Sequence, residues 1–335
     1  MRCYLNTYSR WLSPLYLAGE SYGTFRSAGL ASSALAKAGI SFSGIFLVSS
    51  VLALNTIWEA KSANHLPAMT FVPTFAATAW YHRKLSPELQ SRELADVVAE
   101  VSEWTLTTYA VALAKGERMS TEETTAVASE LAKYTGLSEE YVLQSNLRID
   151  DGNFRKELLR SDRHTIGRMD ARYVGFDRNA TGATFQADPS THATKPAFVA
   201  CFHDYIKSEL QYSTERKYYL SAGSIPGFKW NYPTNAMGDT SEMLRAAVSA
   251  NPYMRVVCLN GYYDLATPFF GTEYTFAHLD LEPELRGNIS MEYYTAGHMF
   301  YTDRENLFKL AKDAAKIFAA REYPRAVVNV PGRSP

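Results

Sequence analysis

Cysteine is scarce in this chain. Cys3, Cys201 and Cys258 are odd in number and far apart, so they supply neither a disulfide framework nor a metal-ligand spacing. Cys258 stands in an apolar run and reads as a buried core thiol. An excess of charge is missing as well: 34 Lys and Arg against 35 Asp and Glu leave a net charge of −1. That balance gives no global field for nucleic acid or an anionic membrane. Met1 to Trp11 holds no long apolar run, so no signal peptide is read there. Internal repeats and low-complexity segments are absent. Residues 39–58 carry no charge and have roughly the length of a membrane span. They are broken by Ser41, Ser43, Ser49, Ser50, Asn55 and Thr56. With Ile40, Phe42 and Ile45 to Val48 they read as a buried strand and its following loop. What remains is a chain of 335 residues, enough for one large domain or a domain with an insertion.

The sharpest local signal lies near the start. Leu15 to Ala18 is an apolar run of strand length, opened by Pro14, and Gly19-Glu20-Ser21-Tyr22-Gly23 follows it. Thr24 to Ala38 reads as an alanine-rich helix closed by Gly39 at C′. A strand turning sharply into a helix through glycines lifts the serine clear of the backbone, the arrangement of a nucleophile elbow. The Tyr22 N–H, directly after Ser21 at the helix start, is then placed to bind an oxyanion.

Along the chain, Tyr4, Leu5, Tyr8 and Trp11 fall at helical spacing, and Ser41 to Val48 reads as a strand. From Leu66 to about Trp80 the chain reads as an irregular bridge. Helices with clear signals follow: Ser86-Pro87 as N-cap and N1, then Leu94, Val97, Val98, Val101 and Trp104 on one face before Gly116. Ser120-Thr121-Glu122-Glu123 is a capping box, and Ser138 is a further start. Residues 151–196 are charged and aperiodic and read as loop, with helix again from Phe198 to Leu210. Met254 to Leu259 and Ile289 to Tyr294 read as strands, Thr272 to Leu279 and Asn306 to Arg321 as helices. Strand–helix alternation at both ends, split by a helical insertion, predicts an α/β domain carrying a cap. The expected divisions are 1–80 and 251–325 for the core and 81–250 for the cap.

Ser21, Asp264 and His298 stand in the order of an α/β-hydrolase, each after a predicted strand and each near glycine. His298 would take the Ser21 proton and return it to the leaving group, and Asp264 would orient the imidazole. His203 and His278 compete for the base but fall in predicted helices. The predicted fold is therefore an α/β-hydrolase fold, a partial parallel sheet with a helical cap insertion. No cofactor and no metal site is expected.

Gly19-Glu20-Ser21-Tyr22-Gly23, Asn260-Gly261-x-x-Asp264 and Ala296-Gly297-His298-Met299 resemble the serine carboxypeptidases, the cathepsin A-like peptidases. Residues 74–82, Asn146-Leu147-Arg148-Ile149 and Gly167-Arg168-Met169-Asp170-Ala171-Arg172 look like the bacterial branch, and the resemblance covers most of residues 11–318. It implies removal of C-terminal amino acids from peptides through an acyl-enzyme on Ser21. It also implies a protonated Glu20 that binds the substrate's terminal carboxylate, a preference for acid conditions, and a secreted or periplasmic full-length form. An esterase or acyltransferase on the same scaffold, and a non-catalytic peptide- or partner-binding remnant, are the competing readings. The family's Asn-Gly-Gly-Pro-Gly segment, and the second glutamate that shares a proton with Glu20, lie upstream of its elbow. Only twenty residues precede Ser21 here. The expectation is a chain lacking its N-terminal part, impaired in activity and prone to self-association through an exposed sheet edge.

Overall fold

Ile45, Phe46 and Leu47 are apolar in succession, a pattern that suits a strand covered on both faces. In the computed structural model, which describes residues 1–58, 64–229 and 238–319, they lie inside a sheet. The strands in chain order are β1 (Tyr16–Glu20), β2 (Gly44–Val48), β3 (His164–Ile166), β4 (Val174–Phe176), β5 (Arg255–Gly261) and β6 (Ile289–Tyr294). A parallel four-stranded sheet has the order β1-β2-β5-β6, and β3 and β4 form a separate antiparallel pair. Glu20 pairs with Val48, Val48 with Leu259 and Leu259 with Glu292, so the carboxyl ends of all four strands share one edge. The chain is thus mixed α/β, as its strand–helix alternation predicts.

Both faces of the sheet are covered. On one, Ala28 and Ala31 of the helix Tyr22–Ala38 and Leu244 and Val248 of the helix Ser241–Ala250 pack with Ile45, Leu47, Val256 and Cys258. On the other, Leu310 and Ala314 of the helix Arg304–Ala319 pack with Phe46, Val257 and Leu259. Ile45 and Leu47 are fully buried, and each contributes about 1.5–3 kcal/mol. Cys258 is buried as expected, and burial pushes its thiol far up. β1 is an edge strand: among the described residues, no strand pairs with its outer side.

Between β2 and β5 lies a helical layer. Phe75, Val97, Val101, Leu131 and Phe154 form one apolar core with Tyr263, Leu265 and Phe269 from the segment after β5. The caps at Ser86, Ser120 and Ser138 form as the sequence predicts, including the reciprocal Ser120–Glu123 box. The helix Leu94–Trp104 continues through a π-helical turn, Thr105–Tyr109, into Ala110–Lys115.

Several expectations are corrected. β1 runs to Glu20, so Glu20 ends a strand instead of lying in the turn. β2 starts at Gly44, and β5 extends through Asn260-Gly261. The bridge before Trp80 is helical, over Leu66–Thr70 and Val72–Tyr81, with a proline in each first turn. Near the N-terminus only Arg2–Thr7 is helix. Residues 151–196, expected as loop, hold the helix Asp151–Glu157, the β3–β4 pair and the start of the helix Pro189–Ser208. Asp150 and Asp188 cap those two helices. What holds this region is buried charge, which leaves no apolar period to read: Lys156 pairs with Asp177, and Arg155 with Asp188 at 3.0 Å. The last helix is described to Ala319, and residues 320–321 of its expected span lie outside the described residues. Among the described residues, no helix is long and apolar enough to cross a membrane, and no cluster of His, Cys, Asp and Glu could hold a metal ion.

Candidate active site

Parallel strands deliver their following loops to one edge of the sheet, and the three predicted residues all leave from that edge. Ser21 follows β1 directly and is the N-cap of the helix Tyr22–Ala38. Its backbone lies at φ 56°, ψ −127°, a conformation that a residue with a Cβ rarely adopts. Three bonds hold it there. Its N–H donates to Val48 O (2.9 Å), and its carbonyl accepts from Thr24 N (2.9 Å) and Thr24 Oγ1 (2.6 Å). Thr24 Oγ1 in turn accepts from Val51 N at 2.9 Å, tying the elbow to the loop after β2. The two glycines of the motif are not equivalent. A Cβ on Gly19 would lie 2.3 Å from Gly23 O, whereas a Cβ on Gly23 would meet nothing within 4 Å. Close strand–helix approach therefore requires glycine at position 19 and not at position 23. The Tyr22 N–H belongs to the first helical turn, where N–H groups point outward along the axis.

Asp264 is fully buried in the segment after β5. Its Oδ1 accepts from the N–H groups of Ala266 (2.7 Å) and Thr267 (2.9 Å). Its Oδ2 accepts from Thr267 Oγ1 (2.8 Å) and from His298 Nδ1 (2.7 Å). That last bond places the Nδ1 proton against the carboxylate and leaves Nε2 as the basic nitrogen of a neutral ring. Burial acts to lower the His298 pKa. The Asp264 charge and hydrogen bond, with a further contribution from Glu20, outweigh it and hold the ring above its ordinary value.

The His298 loop is clamped through its backbone. His298 N donates to Met169 O (2.6 Å), and Ser49 Oγ donates to His298 O (2.7 Å). Gly297 N donates to Asp170 Oδ2 at 3.0 Å, and Arg172 holds both Asp170 and Thr295 O. A Cβ on Gly297 would lie 2.3 Å from Met169 O, so only glycine fits under this clamp. Glu20, half-buried at the end of β1, accepts from Tyr301 Oη at 2.9 Å and 2.8 Å, one contact to each carboxylate oxygen.

The fold thus joins Asp264 to His298 directly and places Glu20 close enough for its charge to act on His298. It does not hydrogen-bond Ser21 to His298. Ser21 Oγ has no partner among the described residues, and the two are linked through Val48, Ser49 and the His298 carbonyl. Such a bond is often long before substrate binds. His203 is exposed within the helix Pro189–Ser208, and His278 is exposed just after the helix Phe269–Ala277, where its Nδ1 meets Tyr274 O.

Sequence reasoning misses Thr267, Tyr301 and Ser49. Thr267 carries a signal, because an Asp with a Thr three residues on is a local turn that bonds its own backbone. Tyr301 and Ser49 carry none, since both meet their partners only through the tertiary fold. Comparison with known proteins finds no family model, no curated protein and no solved structure that matches this chain.

Proposed function

We propose that this chain is a serine hydrolase of the α/β-hydrolase type, and specifically a serine carboxypeptidase. The observation that carries the reading is Ser21, held at φ 56° at the carboxyl edge that also bears the His298–Asp264 pair. A serine in that conformation costs on the order of 1–3 kcal/mol. Glycine would fill the position without that cost. A strained serine on the same sheet edge as a buried imidazole–carboxylate pair has a direct use in nucleophilic catalysis, whereas a non-catalytic remnant has no use for the strain.

In this mechanism His298 Nε2 takes the Ser21 Oγ proton as Oγ attacks the scissile carbonyl. The oxyanion that forms lies at the Tyr22 N–H. His298 passes the proton to the leaving amine, the acyl group stays on Ser21 Oγ, and water repeats the sequence to release the acid. Asp264, anchored by four donors, keeps the ring oriented and offsets its charge. Glu20 would bind the terminal carboxylate of the peptide through a shared proton while Tyr301 fixes its orientation. Ester hydrolysis and acyl transfer would use the same acyl-enzyme, so the assay pairs a blocked dipeptide with its ester. Labelling of Ser21 by a fluorophosphonate, with release of the C-terminal amino acid from the dipeptide, is the result expected. An unlabelled Ser21 in folded protein would remove the hydrolase reading. Labelling with ester turnover alone would move it to the esterase class.

A further inference from the structure

A second site stands on elements that carry none of the candidate catalytic residues. A cavity of about 860 Å³ opens between the end of the helix Ala110–Lys115, the turn to Met119, and the loop Ser145–Arg148, with His65 on one wall. The residues around it form a built arrangement. Asn146 and Leu147 are consecutive non-glycine residues in the left-handed region, at φ 49° and 61°. Such a pair persists only when its surroundings fix it. Leu147 N donates to Val142 O (3.1 Å), Arg148 N donates to Ser145 O (2.9 Å), and the buried Tyr109 hydroxyl donates to Leu147 O. Tyr109 reaches that carbonyl from the π-helical turn, and such turns recur at functional sites.

What this loop presents is the Arg148 guanidinium. Its Nη1 reaches Asn146 O at 3.4 Å and its Nη2 reaches His65 Nδ1 at 3.5 Å, both weak contacts. Its Nε is buried and has no partner among the described residues. No carboxylate within ion-pair distance compensates it among the described residues. Across the cavity Arg118 is similarly uncompensated: among the described residues it bonds only to the carbonyls of Ala114 (3.1 Å) and Lys115 (3.3 Å). Lys115 is neutralised by Glu123 at 2.5 Å, and Glu117 is the one acid on the lining. A guanidinium with an orphaned buried donor, beside a cavity of net positive lining, matches the planar oxygen pair of an anion.

We infer that this cavity binds a small oxyanion, a carboxylate or phosphate group, on Arg148, with Arg118 as a second donor. The inference does not rest on the hydrolase reading. It is tested on the whole chain by calorimetric titration with inorganic phosphate and, separately, with citrate, at an ionic strength held constant with sodium chloride. Saturable binding of either probe is expected, with chloride inert. The stronger probe identifies whether phosphate or carboxylate is the group preferred. Arg148→Gln should weaken binding at least tenfold. Because that variant disturbs a strained loop, Arg118→Gln, on the open side of the cavity, serves as the second variant and should weaken it severalfold. Absence of saturable binding by both probes, or binding undiminished in Arg118→Gln and in any folded Arg148→Gln, would overturn the inference.

Discussion

The Tyr301 hydroxyl lies 2.9 and 2.8 Å from the two carboxylate oxygens of Glu20, joining the turn after His298 to the last residue of β1. It is a phenol, three residues past His298, that meets the proposed carboxylate-binding acid. Tyr301→Phe keeps the ring and removes only the donor. The expected result is a rise in KM of about 3–10-fold for peptides with a free C-terminus, in line with a hydrogen bond of ~1 kcal/mol. Turnover of a C-terminally blocked ester should be nearly unchanged. An equal loss on both substrates would mean that Tyr301 supports the fold and not Glu20.

Ser21 makes two separable predictions. Ser21→Ala should abolish hydrolysis while changing stability by no more than about 1 kcal/mol, since one unpaired hydroxyl is removed. Ser21→Gly should also be inactive, yet more stable than Ser21→Ala by about 1 kcal/mol, because glycine accepts φ 56° without strain. Denaturant melts of the two variants check this. A glycine variant less stable than the alanine one would contradict the strain at Ser21.

The raised pKa of His298 sets the acid limb of kcat/KM. The base form is needed, so activity should fall as pH drops through a value above the ordinary 6.5. Glu20 contributes to that raising, so Glu20→Gln should move the acid limb to lower pH. Profiles of wild type and variant that superimpose would detach the Glu20 charge from His298.

Thr267 fixes Asp264 and reaches Ser49 O at 3.0 Å. Thr267→Val conserves shape but removes the one hydroxyl proton that Asp264 Oδ2 and Ser49 O share in a buried site. Stability should drop by about 1–3 kcal/mol. Turnover should fall at least about tenfold as the carboxylate loses its fixed orientation. Activity kept at the wild-type level would show that the two backbone N–H groups suffice to hold Asp264.

Lys156 and Asp177 are both almost fully buried. Burial acts to raise the Asp177 pKa, but the Lys156 hydrogen bond and charge and the Asn179 N–H outweigh it and hold the carboxyl low. The pair therefore adds stability above the ordinary aspartate pKa, and that stability is lost as pH falls through the lowered value. Lys156→Met should cost about 3–5 kcal/mol by leaving a buried, unpaired carboxylate, and Lys156→Met with Asp177→Leu should recover most of it. Chemical denaturation at neutral pH measures both.

How much of this was readable before folding depends on where each partner lies. The capping box at Ser120, the elbow helix and the strand Ile289–Tyr294 rest on neighbours in sequence, and each forms as read. The Asp264–His298 pairing was legible because both residues follow strand signals and lie near glycines that permit close approach. Residues 151–196 were not legible, because salt bridges such as Arg155–Asp188 have no period in sequence. Tyr301 was hidden for the same reason: its partner Glu20 lies at the other end of the chain.

The pairing of β2 with β5 also has a consequence in time. Val48 and Leu259 are neighbours in the sheet, but the whole helical layer is synthesised between them. At ~5–20 residues per second the ribosome needs about 10–40 s to bring β5 out after β2. Throughout that interval β2 lacks the strand that will pair with its inner edge, and a ribbon of only two strands is marginally stable alone. The edge of β2 that will receive β5, with Ile45 and Leu47 beside it, stays open to other chains. Nascent chains stalled before Arg255 should therefore bind holding chaperones through residues 44–48, and release should follow the emergence of β5.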